Sequence, residues 1–199
     1  MSNSHRLQAV GCTYHVNTKA VAGLKAFPRM WHRDVFLRMF ARELELSAWE
    51  CLGYTVLGTH YHVVVRLTKP TLSSGFQRLN SRYARWFNRE HNRAGALWQR
   101  RFDDRPVETD AHLLELQRYL AYNAPRAQLS ERPEDWPYCH YGALVGDHPT
   151  DPLVSEEDIL GLLSPDVARA RSRLRTFVEE RDPRRRRQTL LRRGSDAEN

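Results

Sequence analysis

Residues 49–67 read WECLGYTVLGTHYHVVVRL, two apolar runs rich in β-branched and aromatic residues and broken by Gly58-Thr59. Runs of this kind on either side of a glycine-bearing break read as paired antiparallel strands joined by a tight turn. In the second run His60 and His62 alternate with Tyr61. Alternate side chains of a strand share a face, so the two imidazoles project the same way, about 7 Å apart, and Tyr61 points to the other face. Imidazoles at that spacing can jointly hold a divalent cation. Taken alone, the pair also fits two ordinary strand histidines, since the chain has nine.

Working outward, residues 30–46 place Trp31, Val35, Met39, Leu44 and Leu46 at roughly helical spacing. Before them, residues 10–16 have the composition of a first strand. Residues 71–92 read as a second helix, interleaving Phe76, Leu79, Tyr83, Trp86 and Phe87 with Arg78, Arg82, Arg85 and Arg89. Residues 96–107, ALWQRRFDDRPV, suggest a loop and a strand, with Pro106 suited to an edge. Thr109 or Asp110 can cap a third helix, running to about residue 124. Residues 130–150 are rich in proline and aromatics and read as irregular, and two short helical patterns flank Pro165. The order strand, helix, strand, strand, helix, strand, helix predicts an α+β fold. A ferredoxin-like (split βαβ) antiparallel sheet with helices on one face fits it, followed by a helical C-terminal extension. The divisions fall at residues 1–145 for a catalytic domain, 146–183 for the extension and 184–199 for a basic tail expected to be disordered.

The second informative segment is residues 115–127, ELQRYLAYNAPRA, which includes the end of the third helix. At 100° per residue, Leu113, Leu116 and Leu120, with Ala124 and Ala127, form one apolar stripe. Tyr119 lies at the edge of that stripe with Asn123 on the same flank, and Tyr122 lies nearly opposite. A nucleophile must be held firmly yet reach substrate, which suits Tyr119. The helix alone equally allows Tyr119 to be a half-buried packing residue.

Composition narrows the partners. Of 199 residues, 31 are Lys or Arg against 24 Asp or Glu, a formal net charge of +7 carried mostly by arginine. The guanidinium fork matches phosphate oxygens, so the excess points toward nucleic acid. No apolar run approaches the roughly 20 residues that span a bilayer, and nothing at the N-terminus reads as a secretory leader. Three cysteines without CxxC spacing argue against a disulfide or cysteine-zinc framework and fit a reducing cytoplasm.

Together these segments resemble the HUH endonucleases, whose pattern is a His-hydrophobic-His strand followed by a single tyrosine on a later helix. The segment LGTHYHVVVRL at 57–67 is similar to the HUH strand of REP-associated tyrosine transposases. RYARWFNREHNRAGALWQRRFDDRPV at 82–107, RYLAYNAPRA at 118–127 and DWPYCHYGAL at 135–144 resemble their central helix and next strand, tyrosine helix and following turn. The resemblance covers residues 10–145, in order. It implies that His60 and His62 bind Mg²⁺ or Mn²⁺, that Asn123 completes the metal site and that Tyr119 attacks single-stranded DNA carrying hairpins. It also favours a monomer and association with the nucleoid. Thr59 stands where the family usually has Asn, Asn123-Ala124-Pro125-Arg126 replaces its Asn-Pro-Val-Arg, and Asn17-Thr18-Lys19 replaces an arginine-glycine turn.

For DNA binding the candidates are Arg100, Arg101 and Arg105 beside Trp98, with Arg78, Arg82 and Arg85 on the second helix and Arg126 after the third. Trp98 equally fits a core position, and the second-helix arginines a solvated face. A catalytically silent DNA-binding protein of the same fold is the alternative function. A structural-metal or RNA-binding module would leave the tyrosine helix unexplained. The tail, with Arg184 to Arg187, reads as a nonspecific electrostatic arm. Truncation after Pro183 is therefore expected to weaken DNA binding and flatten its salt dependence while leaving any strand cleavage intact. An inactive but folded truncated chain would give the tail a different role.

Overall fold

The computed structural model describes residues 9–180, so the tail expected at 184–199 lies outside the described residues. The elements run β1 (Thr13–Lys19), α1 (Met30–Ser47), β2 (Trp49–Val56), β3 (His60–Leu67), α2 (Leu72–Glu90), β4 (Asp103–Val107) and α3 (Asp110–Ala121). Short helices α4 (Asn123–Arg126), α5 (Tyr141–Leu144) and α6 (Glu156–Leu160) follow, then α7 (Val167–Glu179). The four strands form one sheet in the order β2-β3-β1-β4, with every neighbouring pair antiparallel. That is the split βαβ arrangement the element order predicts: β3 lies between β1 and β2, and β1 between β3 and β4. The first strand starts at Thr13 and not at residue 10, because Gly11 turns the chain at φ +83° and pairing with β3 extends to Lys19. Among the described residues, no helix is long and apolar enough to cross a membrane.

The alternation of β3 divides the molecule into two layers. Tyr61, Val63, Val65 and Leu67 are fully buried among Phe36 and Phe40 of α1 and Leu72, Phe76, Leu79 and Tyr83 of α2. Tyr61 is held there by a buried triangle: Thr18 Oγ1 donates to its hydroxyl (3.1 Å), which donates to Asn80 Oδ1 (2.7 Å), while Asn80 Nδ2 donates to Thr18 (3.3 Å). Each polar atom in this triangle finds a partner, so burial carries no unpaired hydrogen-bonding cost. On the opposite face a smaller cluster joins Val64 and Leu52 to Leu113, Leu116 and Leu120 of α3. Helices α1 and α2 thus cover one face as expected, but α3 crosses to the other. Its leucine stripe needs a second apolar surface, and Val64 and Leu52 provide one. Leu52 contributes from the β-bulge between Cys51 and Gly53.

The segment 130–150, expected to be irregular, packs tightly instead. A 3₁₀ turn, Pro133–Asp135, leads into buried Trp136 and Tyr138, and the chain then covers the outer edge of β2 through bridges Thr55↔Cys139 and Cys51↔Val154. Covering an exposed strand edge satisfies its backbone and blocks pairing with other chains. Trp136 Nε1 donates to the Val56 carbonyl (3.1 Å). His140, 1% exposed, accepts from Tyr54 N–H at Nδ1 (3.1 Å) and donates from Nε2 to Gln117 Oε1 (2.6 Å). Gln117 in turn donates to the Leu52 carbonyl (2.9 Å), which completes a buried polar link from β2 to α3. Gly53 allows this approach: its φ is +150°, and a Cβ there would meet His140 at 2.9 Å. Beyond, Ile159, Leu160, Leu174 and Val178 of α6 and α7 join the main core, and Arg118 of α3 donates to the Phe177 carbonyl of α7 (3.0 Å).

Gln117→Leu should test the β2–α3 link, since it strands His140 Nε2 and the Leu52 carbonyl in an apolar setting. We expect a loss of about 2 kcal/mol, or roughly 4–8 °C in Tm, by calorimetry. An unchanged Tm would show that the link contributes nothing.

Candidate active site

The sheet face beneath α3 gathers the candidate site residues of β3 and α3. His60 and His62 project from β3 on the same side, with ring centroids 5.2 Å apart. Helix α3 starts where Thr109 accepts the His112 N–H (3.1 Å), and its three leucines seat it on the sheet. Tyr119, at the edge of that stripe, reaches back to β3. Its hydroxyl lies 3.4 Å from His62 Nε2, and the rings meet edge-on at 5.2 Å. Asn123 opens α4 one turn later, is buried, and donates from Nδ2 to the Tyr119 carbonyl (2.7 Å). That bond uses the amide nitrogen and leaves Oδ1 as an acceptor.

A third imidazole comes from β1. The register pairs Asn17 with His62 and Lys19 with His60, so His15, Asn17 and Lys19 lie on the same face. His15 Nε2 stands 3.0 Å from His62 Nδ1, with the rings stacked at 5.1 Å. The His15 ring also meets Tyr119 edge-on at 5.9 Å. His60 Nδ1 is likewise engaged, 2.9 Å from Thr59 Oγ1. Both β3 histidines therefore have Nδ1 partnered from within the chain.

Burial sets the charge state of these rings. His62 is pushed down to about 3 by burial, reinforced by His15 and His60. His15 is lowered to about 4, first by burial and then by the positive fields of Arg105 and His112. His60 is lowered by burial and then by Lys19. At neutral pH His62 and His15 are uncharged, and each has a ring lone pair that can accept a proton or bind a cation.

The structure brings His60, His62 and Tyr119 together, with Asn123 hydrogen-bonded to the Tyr119 backbone. Arg105 joins them on this face, opposite His15 in the β1–β4 register. The other arginines lie elsewhere. Arg78, on α2 across the sheet, points at the buried Glu43 carboxylate (2.6 Å) and at Ser47 (2.8 Å). Arg82 and Arg85 share that helix, Arg82 partly exposed and Arg85 exposed. Trp98 packs on the α2 side against Phe27, Tyr61 and Tyr83, and its Nε1 donates to the Asn80 carbonyl (3.0 Å). Arg100 pairs with Asp103. Arg101 is exposed, and Arg126 is exposed with its guanidinium 5.9 Å from the Tyr122 ring centre. Tyr122 itself is 5% exposed and belongs to the main core, away from solvent.

Reasoning from local pattern missed His15, Lys19 and the Thr59 contact. The Tyr-His-Val triplet at 14–16 marked a strand, but only the register assigns its histidine to the site. Among the described residues, no group of three or more His, Cys, Asp or Glu side chains is arranged to hold a metal ion.

No family model matches the chain, and no curated protein matches it. Among solved structures it is similar to a REP-associated tyrosine transposase bound to a REP hairpin. The match has a TM-score of 0.62 at 15% identity and covers 77% of this chain and 90% of that one. The likeness shows that the two chains share a fold.

The buried imidazoles predict an acid-sensitive stability. Their folded pKa values lie below the unfolded value near 6.5, so below that pH the unfolded chain takes up protons that the folded site refuses. Stability should fall as pH drops from about 6.5 toward 4. Urea unfolding across that range should show a shallower loss for a His15→Leu/His62→Leu double variant. Identical slopes would refute the assignment.

Proposed function

We propose that this chain is a metal-dependent, single-tyrosine enzyme that cuts and rejoins single-stranded DNA bearing hairpins. The observation that carries the reading is the Tyr119 hydroxyl 3.4 Å from Nε2 of His62, with His60 beside it on the same strand face. The shared fold with a transposase bound to a hairpin supports hairpin DNA as the substrate class.

The donor set fits a divalent cation. His60 and His62 have Nδ1 engaged by Thr59 and His15, and Asn123 Oδ1 is the third protein donor we assign. Two imidazoles and one amide oxygen leave the other positions of Mg²⁺ or Mn²⁺ for water and phosphate oxygens, which such hard cations prefer. When bound, the ion would supply Lewis-acid polarisation of a phosphate oxygen and a template for the substrate. Tyr119 supplies the nucleophile. Its Oη forms the bond to phosphorus as the P–O3′ bond breaks, giving a 5′-phosphotyrosine and a 3′-oxyanion that takes a proton from water to become the free 3′-hydroxyl. A phenol with reference pKa near 10 is mostly neutral at pH 7, so its proton must leave during attack. The partly exposed Tyr119 can release it to solvent. The linkage conserves the energy of the broken bond, so attack by another 3′-hydroxyl rejoins strands without ATP. Lys19 and Arg105 flank the histidines and would hold the phosphates on either side. Fixing Tyr119 on a helix locked by Gln117 and Arg118 holds the nucleophile in register with the strand that carries His60 and His62.

The test is cleavage of a hairpin-bearing single strand by the full chain with Mn²⁺, followed by mass spectrometry of the adduct peptide. DNA should be found on Tyr119. Tyr119→Phe should keep hairpin binding but lose the adduct. Tyr122→Phe, altered only within the core, should retain most cleavage. His60→Ala/His62→Ala should abolish cleavage and keep much of the binding. Full cleavage in excess EDTA would sink the metal role, and an adduct on Tyr122 the choice of nucleophile. Hairpin binding with no adduct under any condition would favour the catalytically silent alternative.

A further inference from the structure

We propose that His15 is a positioning residue: its Nε2 accepts the Nδ1–H of His62 and so keeps the His62 lone pair on Nε2, facing Tyr119. This rests on the reading of His62 as a metal ligand and extends it to a residue on another strand.

A neutral imidazole has one N–H and one lone pair, and the hydrogen bond at one nitrogen decides what the other presents. His62 Nδ1 and His15 Nε2 are 3.0 Å apart, so one proton is shared between them in one of two ways. If His15 donated it, His62 Nε2 would carry a proton and could bind no cation. If His62 donates it, Nε2 offers its lone pair on the side where the Tyr119 hydroxyl stands at 3.4 Å. The Tyr119 hydroxyl can donate to a bare Nε2 or accept from an Nε2–H, so it is the role of His62 as a ligand that selects the second arrangement. Metal-bound histidines commonly donate their other N–H to an acceptor within the protein, which fixes both tautomer and ring orientation.

The geometry leaves His15 little freedom. Its place is set by the antiparallel register, Asn17 to His62 on one side and His15 to Arg105 on the other. Its ring lies stacked on His62, 29° from parallel, and edge-on to Tyr119, so a swing about χ1 would break both contacts. The equivalent partner of His60 is the Thr59 hydroxyl, which can donate or accept.

The experiment uses the full chain, free of metal and DNA. Long-range ¹H–¹⁵N correlation of the histidine rings should show His62 protonated at Nδ1 and bare at Nε2. In His15→Leu that preference should relax to a mixture, and Mn²⁺ affinity measured by EPR should fall about 10–100-fold. Hairpin binding in EDTA should stay native. His15→Gln, whose amide oxygen can accept the same proton, should recover part of the Mn²⁺ affinity. A native His62 carrying its proton on Nε2 would overturn the proposal. So would a His15→Leu chain with native tautomer and affinity, or a His15→Gln chain as impaired as His15→Leu, which would point to packing. A native chain with the expected tautomer but no affinity for Mn²⁺ would overturn the metal reading and leave the positioning role standing.

Discussion

The alternation of side chains along β3 is the constraint from which the rest follows. As an inner strand, β3 is paired on both edges, and one of its faces is buried along its whole length, so an error of register cannot be accommodated there. Tyr61, Val63, Val65 and Leu67 must enter the main core, so His60 and His62 must face the other way. A slip of one residue would bury two imidazoles among Phe36, Phe76 and Tyr83 and turn four apolar residues out, a cost no surface contact could offset. The same register decides which β1 side chains meet the histidines, and so admits His15 and Lys19 to the site.

The second layer is thin, and that suits a site. Among the described residues the apolar cover of the histidine face comes from α3, through a cluster of five buried apolar residues. So small a cluster gives a single helix only modest hydrophobic anchorage. The polar links make up the difference. Gln117 and His140 tie α3 to the bulge of β2, and Arg118 ties it to the carbonyl of Phe177, with its guanidinium 3.7 Å from that ring centre. A helix held at its buried side by directional bonds keeps Tyr119 fixed and leaves its hydroxyl at an open rim. A thicker apolar cover would hold it more firmly but close the face to solvent.

Much of this was legible in the sequence because it is periodic. Period two in β3 separated His60 and His62 from Tyr61, and the helical period in α3 put Tyr119 at the edge of the leucine stripe. What escaped depends on partners distant in sequence. His15 meets His62 through strand pairing, which no local window contains. Tyr122 faces away from the leucine stripe, as the helical wheel indicates, yet it is buried because it joins the main core and not solvent. Residues 130–150 lack any period, but Trp136, Tyr138 and His140 bind tightly to the edge of β2, so an irregular backbone is not an exposed one. Arg78 shows the converse: helical spacing with exposed arginines marks a solvated face, and nothing local indicates that Glu43 lies buried beside one of them.

The electrostatics of the site follow from the same arrangement. Lys19 and Arg105 flank the imidazoles on the sheet face, and their positive fields are part of what keeps His60 and His15 unprotonated. Burial is the larger cause in each case, because charge on a desolvated ring costs more than a neighbouring cation adds. In the proposed reaction the two effects would act together on a phosphodiester. Cations at the rim attract phosphate, and neutral rings at the centre keep lone pairs that a protonated imidazole would lack. If the histidines were exposed, the approach of acid would charge them near pH 6.5 and remove those lone pairs while the cationic rim stayed unchanged. Burial beneath α3 separates the two properties, leaving the charge at the rim with residues that stay cationic and the free lone pairs with rings that stay neutral.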